Sequence, residues 1–210
     1  LDRTPAAAQP MTSPSGRWVV AYNGELWNYR DLRGDLEAAG TPVAASTGDT
    51  AVLCAALDAH GLEGTLPRLD GMFAFVALDL RDRVLWLARD RFGVKPCFWG
   101  HCEDGQGAPT FVFGSELRAL AAFPGFSNRV SPFAVAGVLG HLAVRGERTI
   151  WEGLHALRPG HALCLELGSG RIVQREWFSL RAAAADARRQ GFHGDRAAMV
   201  RAFDGLDRKS

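Results

Sequence analysis

Residues 23–28 place polar groups on both sides of a glycine, in the order Asn-Gly-Glu-Leu-Trp-Asn. An amide, a carboxylate and a backbone N–H without a neighbouring side chain form a compact set of groups that can hold a polar small molecule. An Asn-Gly pair after an apolar run is more often only a turn. These six residues therefore define a candidate site that needs support from the rest of the chain.

One predicted strand and two predicted helices position these groups. The apolar run at residues 18–22 predicts a buried strand that ends in a turn at Asn23 and Gly24. Apolar residues spaced three and four apart predict an amphipathic helix over residues 28–39, with Asn28 as its N-cap. A second helix is predicted to start at Thr50 with Asp49 as its N-cap and to stop before Gly61. The N-terminus of this second helix should face the bound molecule.

The remaining pattern predicts strands in hairpins, mixed with helices. Strand pairs are predicted at residues 72–79 and 84–89, 98–100 and 110–114, and 161–167 and 171–178. A short helix is predicted at residues 115–122, and the apolar stretch 131–144, which begins with Ser-Pro, predicts a buried helix. Hairpins mixed with helices are typical of an α+β fold with antiparallel sheets.

Composition narrows the choice of partners and compartment. The 210 residues have a formal net charge of +1 with both signs interspersed, so we expect neither a nucleic acid nor a membrane as a partner. The four cysteines contain no CxxC pair, which favours a reduced, cytoplasmic compartment. The six histidines lack the spacing of metal ligands, so we expect no metal site.

Six further segments, taken with NGELWNYRDLR at residues 23–33, resemble class II glutamine amidotransferases over residues 1 to about 180. The glutamate at position 25, followed by an aromatic residue and Asn28, resembles asparagine synthetases in particular. The six segments are AQPM (8–11), STGDT (46–50), LDGMFAFVALD (69–79), ARDRFGVKPCFWG (88–100), FGSELRAL (113–120) and LRPGH (157–161).

The resemblance implies a fold and a reaction. The fold would be the N-terminal-nucleophile (Ntn) hydrolase sandwich, four layers in the order α/β/β/α with two antiparallel sheets. The reaction would be hydrolysis of glutamine to glutamate and ammonia by an N-terminal cysteine, whose own α-amino group takes the thiol proton. The ammonia would then be used, with ATP, to amidate aspartate.

The same resemblance assigns roles to five residues of this chain. The Asn23 side-chain amide and the Gly24 backbone N–H would form the oxyanion hole. Glu25 and Asp49 would surround the α-ammonium group of glutamine, and Gly48 would add a backbone contact. We interpret the RDRFGVKP segment, in contrast, as architectural, and Cys97 and Cys102 as thiols without a catalytic role.

The chain also departs from the family pattern. None of its cysteines is N-terminal, the arginine that pairs the substrate α-carboxylate would lie before Leu1, and the ATP-binding signature SGGxDS does not occur. We therefore expect residues 1–180 to be a glutaminase domain without its N-terminal strand and nucleophile. Residues 181–210 would be a linker and the first helix of a truncated synthetase domain, with ATP and Mg²⁺ bound in the missing part. The first methionine is Met11 and no helix-stop signal precedes residue 210, so we expect the parent protein to continue on both sides.

Alternatives remain at this point. A related β-lactam synthetase or peptide cyclase could keep the domain as a noncatalytic scaffold, and a free-standing Ntn amidase or a binding module is a third interpretation. The expected partners under the main interpretation are L-glutamine, and L-aspartate and ATP through the missing domain, with a homodimer as a possible assembly.

Overall fold

The computed structural model describes residues 7–44, 48–103, 106–191 and 194–207. The chain divides into two compact units, Leu1–Phe178 and Ser179–Ser210. The first unit contains two antiparallel sheets and several helices, which confirms the predicted α+β class. The described residues of the second unit form two helices, and the assignment of this unit to a synthetase domain stays a prediction.

The larger sheet has six strands, and each neighbouring pair in it is antiparallel. In spatial order the strands are β1 (Met11–Thr12), β2 (Trp18–Leu26), β3 (Gly71–Asp79), β4 (Val84–Arg89), β8 (His161–Glu166) and β9 (Ile172–Glu176). The smaller sheet has the order β6 (Pro109–Gly114), β5 (Phe98–Glu103) and β7 (Leu154–Ala156). The three predicted hairpins are therefore present, with strand ends shifted by a few residues.

The helices are α1 (Tyr29–Ala38), α2 (Asp49–Thr65), α3 (Leu117–Ala121), α4 (Pro132–His141), α5 (Leu180–Gln190) and α6 (Arg196–Asp207). Helix α2 is interrupted at Gly61, whose φ of 64° and ψ of −178° are not helical. The predicted stop at this glycine is therefore a kink, after which the helix continues for another turn. Within the described residues, no helix combines the length and the apolar character that crossing a membrane requires.

The side chains of β3 show how the layers stack. Phe73, Phe75 and Ala77 pack in one core cluster with residues of α1 and α2, whereas Ala74 and Val76 pack in a second cluster with residues of the smaller sheet. Successive side chains of a strand point to opposite faces, so the larger sheet is covered by helices on one face and by the smaller sheet on the other. A third cluster packs α3 against the outer face of the smaller sheet. The layers follow the order α/β/β/α, as predicted.

The loop after β4 is architectural, as its charges predicted. The Asp90 carboxylate is fully buried and accepts hydrogen bonds from backbone N–H groups of Phe73, Phe92, Val94 and Lys95. The neighbouring guanidinium of Arg89 donates to backbone carbonyl oxygens of Gly93, Lys95 and Leu157. A buried charge must be hydrogen-bonded, and both of these charged side chains bond backbone groups. Their hydrogen bonds therefore hold the backbone of this loop in place.

Two local predictions about the site region were wrong. Strand β2 does not end at Tyr22 but continues to Leu26, because Asn23 to Leu26 pair with the start of β3. Asp49 is not an N-cap: Gly48 occupies that position and Asp49 is the first residue of α2. Its side chain makes no capping bond because it is hydrogen-bonded elsewhere, as described below.

Two helices begin where they were predicted to begin, but their side-chain contacts differ from the prediction. Asn28 is at the N-cap of α1, but its side chain bonds the Arg68 carbonyl oxygen and the Asp70 N–H instead of capping. Helix α4 begins at Pro132 with Ser131 as its cap, yet Leu139 is 81% exposed and only Ala134 of this helix is buried. The prediction of a buried helix was therefore wrong.

Candidate functional site

The outer edge of β2 carries the first part of the site. The Tyr22 N–H donates to Gln9 Oε1 at 2.6 Å, and the Leu26 N–H donates to Asp49 Oδ2 at 2.9 Å. Successive backbone N–H groups of a strand point to opposite sides, so the Gly24 N–H points to this same edge, between those two bonds. No acceptor among the described residues bonds the Gly24 N–H. A backbone donor without a partner among the described residues thus lies at this edge, at the glycine that the resemblance assigns to the oxyanion hole.

The strand itself requires glycine at position 24. A Cβ there would lie 2.3 Å from the Met72 carbonyl oxygen and 2.7 Å from the Phe73 Cα. Real Cβ atoms do not approach backbone so closely, so any side chain would force β2 and β3 apart. From the sequence, the reason for glycine at this position was that a ligand can approach its backbone N–H. The structure adds a second reason, close packing against β3, which does not depend on the identity of the ligand.

The Asn23 side chain emerges on the face of the sheet that is directed toward the smaller sheet. Its Nδ2 donates to Ser115 Oγ at 3.3 Å. Both residues line a cavity of about 250 Å³ whose other walls come from β2, β3, β4 and β6, with the buried Cys97 also contributing. A polar amide therefore stands beside a largely apolar space between the two sheets.

Asp49 and Tyr22 form the second part of the site. Asp49 Oδ2 accepts a hydrogen bond from the Tyr22 hydroxyl at 2.9 Å in addition to the bond from Leu26. Burial raises the pKa of Tyr22 far above its ordinary value, and the charges of Asp49 and Glu25 raise it further. The Tyr22 hydroxyl therefore stays protonated around neutral pH and donates to Asp49, and the charges of both predicted carboxylates contribute to its raised pKa.

The structure thus brings the predicted site residues together at the junction of β2 and α2. Asn23, Gly24 and Glu25 are consecutive in the strand, with Glu25 exposed, while Gly48 and Asp49 begin the helix. Ser46 and Thr47 of the STGDT segment lie outside the described residues.

Sequence reasoning missed two residues of this region, the Tyr22 hydroxyl and Ser115 as the partner of Asn23. A prediction that β2 continues to Leu26 would have identified Tyr22 as a residue of the site. Side chains alternate between the two faces of a strand, so residues 22 and 26 would then lie on the same face.

The four thiols of the chain are not activated. Burial raises the pKa of Cys97 to about 12, and burial together with the charge of Asp58 does the same for Cys54. Burial also raises the pKa of Cys102 and of Cys164. The thiolate is the nucleophilic form, so none of these residues has the character of a catalytic cysteine.

No group of three or more His, Cys, Asp or Glu side chains in the described ranges could hold a metal ion. The expectation of ATP and Mg²⁺ concerns residues beyond these 210 and stays a prediction.

Comparison with known proteins identifies relatives of the chain. Residues 1–178 match the family described as glutamine amidotransferase domain. An asparagine synthetase [glutamine-hydrolyzing] 3 of Bacillus subtilis is 36% identical over 172 residues, which are 80% of this chain and 27% of that protein. A putative asparagine synthetase [glutamine-hydrolyzing] of Mycobacterium bovis is 44% identical over 147 residues, 69% of this chain and 22% of that protein. The chain therefore spans about a quarter of the length of these relatives.

Solved structures support the fold. A glutamine phosphoribosylpyrophosphate amidotransferase from B. subtilis, complexed with ADP and GMP, superposes with a TM-score of 0.54 at 20% identity, over 82% of this chain and 32% of that one. A structure described as the allosteric regulatory enzyme of purine biosynthesis gives 0.56 at 22% identity, over 81% and 31%. At these identities the likeness concerns the fold alone.

Proposed function

The chain belongs to the family of glutamine amidotransferase domains, and from that membership we propose that it is the glutamine-binding and glutamine-hydrolysing part of an ATP-dependent asparagine synthetase. The observation that carries the proposal is the arrangement at the β2–α2 junction. The Gly24 N–H and the Asn23 amide are donors close to one another, and the Asp49 carboxylate is held at the same edge of the sheet.

The two donors suit the hydrolysis of an amide. A thiolate that attacks the side-chain carbonyl carbon of glutamine forms a C–S bond and moves the carbonyl electrons onto oxygen. The Asn23 Nδ2–H and the Gly24 N–H stabilise this oxyanion. Collapse of the intermediate breaks the C–N bond, and the nitrogen takes the proton that the N-terminal α-amino group removed from the thiol and leaves as ammonia. Water then hydrolyses the thioester to glutamate and the free thiol. Preorganised donors of this kind act where charge develops in the transition state.

The nucleophile in this proposal is an N-terminal cysteine that is not among the four thiols of these 210 residues. Their raised pKa values support that assignment. The cavity beside Asn23 provides a partly enclosed space next to the oxyanion donors.

The carboxylates suit the other end of the substrate. Glutamine carries an α-ammonium group, and Asp49 and Glu25 supply negative charge at the edge of β2. Charge-assisted hydrogen bonds between carboxylate and ammonium are stronger than neutral ones. Gly48, directly before Asp49, contributes a backbone contact in this proposal.

The released ammonia would amidate aspartate elsewhere in the protein. The names of the relatives support this step, since they are glutamine-hydrolyzing asparagine synthetases and this chain matches about a quarter of their length. ATP, Mg²⁺ and aspartate would be bound outside these residues, in a cytoplasmic protein that forms a homodimer.

The test uses the complete product of the gene. Asparagine and glutamate are measured with ATP and aspartate present and with either glutamine or ammonia as the nitrogen source. We expect glutamate release that equals asparagine formation when glutamine is supplied, and asparagine without glutamate when ammonia is supplied. Absence of glutamate release from glutamine would overturn the assignment as a glutamine-hydrolysing domain. Glutamate release without asparagine formation would overturn the assignment of the acceptor.

A further inference from the structure

We propose that Tyr22 is a positioning residue for substrate recognition, which acts through Asp49 on the α-ammonium group of L-glutamine. The inference rests on the proposed function and deepens it, since it identifies the residue that sets the direction of the recognising carboxylate. Tyr22 itself does not contact the substrate in this proposal.

The contacts of the Asp49 carboxylate are divided unequally between its two oxygens. Oδ2 accepts both the Tyr22 hydroxyl and the Leu26 N–H, each at 2.9 Å. No donor in the described part of the chain contacts Oδ1. One oxygen is therefore occupied by the protein, and the other is left to accept a hydrogen bond from an ammonium group.

Two donors on one oxygen restrict the carboxylate more than one donor does. The Leu26 N–H belongs to the rigid strand β2, but alone it permits the carboxylate to rotate about its Cβ–Cγ bond. The Tyr22 hydroxyl approaches from a different residue of the same strand and so restricts that rotation. A carboxylate held in its binding orientation loses less conformational freedom when the substrate arrives, which strengthens binding.

Tyr22 is itself held firmly. Its backbone N–H donates to Gln9 Oε1, and its ring packs against the core cluster between the larger sheet and α2. The groups that act on its hydroxyl are carboxylates, Asp49 first and then Glu25, which add to burial in raising the pKa of this phenol. The raised pKa keeps the hydroxyl protonated, and so able to donate to Asp49, around neutral pH.

The chain offers a matched control, because it contains one other tyrosine. Tyr29 is also partly buried against the same core cluster, but its hydroxyl accepts a hydrogen bond from Arg30 Nε at 3.1 Å and does not contact a site residue. Tyr29→Phe therefore removes a hydroxyl of similar burial without touching Asp49.

The experiment compares two substrates in the complete gene product. Glutaramate has the same amide and carboxylate as glutamine but lacks the α-amino group. We expect Tyr22→Phe to raise KM for L-glutamine about five- to tenfold, since it removes a hydrogen bond to a charged group, and to leave kcat within about twofold. For glutaramate, KM should change less than about twofold, because no ammonium group is present for Asp49 to bind. Tyr29→Phe should change neither substrate's KM.

A second variant guards against an effect on folding. In an Asp49→Asn background, adding Tyr22→Phe should raise KM for glutamine by less than about twofold, because residues that act through one contact are not additive. An unchanged KM for glutamine in Tyr22→Phe, or equal increases for glutamine and glutaramate, would overturn the positioning role. Failure of the unsubstituted protein to hydrolyse glutamine would instead overturn the proposed function, and this inference with it.

Discussion

The side-chain amide of Asn23 donates to the hydroxyl of Ser115 at 3.3 Å, across 92 positions of the sequence. Asn23 is in β2 of the larger sheet, and Ser115 directly follows β6 of the smaller sheet, so the bond joins the two sheets beside the cavity. An amide nitrogen carries two N–H groups. One of them donates to Ser115, and under the proposed function the second would donate to the oxyanion.

Asn23→Ala should therefore lower glutamine-dependent turnover about 10²- to 10³-fold, the usual effect of losing one oxyanion donor. Asparagine formation from ammonia should stay within about twofold, since it does not use this site. Steady-state rates with the two nitrogen sources provide the measurement. Asn128→Ala, in an exposed loop, is the matched control and should change neither rate. Loss of both activities in Asn23→Ala would identify Asn23 as a folding residue.

Gly24→Ala should lower the free energy of unfolding by about 1 to 3 kcal/mol, because the new methyl group overlaps the backbone of β3. Gly34→Ala is the matched control: it lies in α1, and no atom is within 4 Å of the position that a Cβ would take there. That change should raise stability by about 0.5 to 1 kcal/mol, since alanine favours a helix more than glycine does. Urea unfolding of both variants should show opposite signs, and a Gly24→Ala protein of unchanged stability would contradict the packing reason.

Local sequence pattern was enough to predict several elements of the fold. The helix α1 follows from apolar residues at a period of about 3.6, and the hairpin of β3 and β4 follows from two continuous apolar segments separated by a charged turn. The extension of β2 did not follow, because Asn23 and Gly24 are turn formers and their pairing partners in β3 are about 50 positions away. The exposure of α4 could not be predicted either, because an apolar helix sequence does not show which faces of the helix are covered by other parts of the protein.

The candidate site was predicted differently. Asn23, Gly24, Glu25, Gly48 and Asp49 came from the resemblance to a family, and the structure then placed them at one junction. The individual contacts could not be derived from the sequence. The hydrogen bond from Tyr22 to Asp49 depends on the approach of a strand to a helix that begins 23 residues after that strand ends.

The 210-residue chain should release no glutamate from glutamine at pH 8. A thiol with a pKa of about 12, such as Cys97, is only about 10⁻⁴ ionised at that pH and so lacks nucleophilic character. Alkylation of the native protein by iodoacetamide should likewise be slow at Cys54 and Cys97, and fast after unfolding. Mass spectrometry of the labelled peptides measures this difference. Glutamate release that disappears in Cys97→Ser would show that a different mechanism operates.

Asp79 should contribute stability that disappears in acid. Burial alone would raise its pKa, but hydrogen bonds from Arg17 and from the backbone N–H groups of Asp82 and Arg81 outweigh burial and lower it below the ordinary 3.8. A lowered native pKa means that the unfolded state binds the proton more readily, so this contribution is nearly complete above about pH 5 and is lost as the pH falls through the native pKa.

Asp79→Asn should accordingly cost about 1 to 2 kcal/mol at pH 7, with a difference from the unsubstituted protein that narrows below about pH 4. Asp82→Asn is the control, because this exposed residue pairs with the same guanidinium of Arg17. Its cost should stay under about 0.5 kcal/mol at every pH, as is usual for exposed ion pairs. Urea unfolding between pH 3 and pH 7 separates the two, and an Asp79→Asn deficit independent of pH would contradict the linkage.

Asp49→Asn distinguishes a carboxylate that only holds the protein together from one that also binds substrate. Asparagine retains an acceptor oxygen for the Leu26 N–H, so we expect a loss of stability of no more than about 1 kcal/mol. The substrate ammonium group, in contrast, loses its charged partner. That loss should weaken glutamine binding by about 2 to 5 kcal/mol, the range for breaking a desolvated charge pair. The control is Asp31→Asn, an exposed aspartate in the first turn of α1. The glutamine KM and the melting temperature are measured for both variants, and a glutamine KM in Asp49→Asn equal to that of the unsubstituted protein would show that Asp49 only links the helix to the strand.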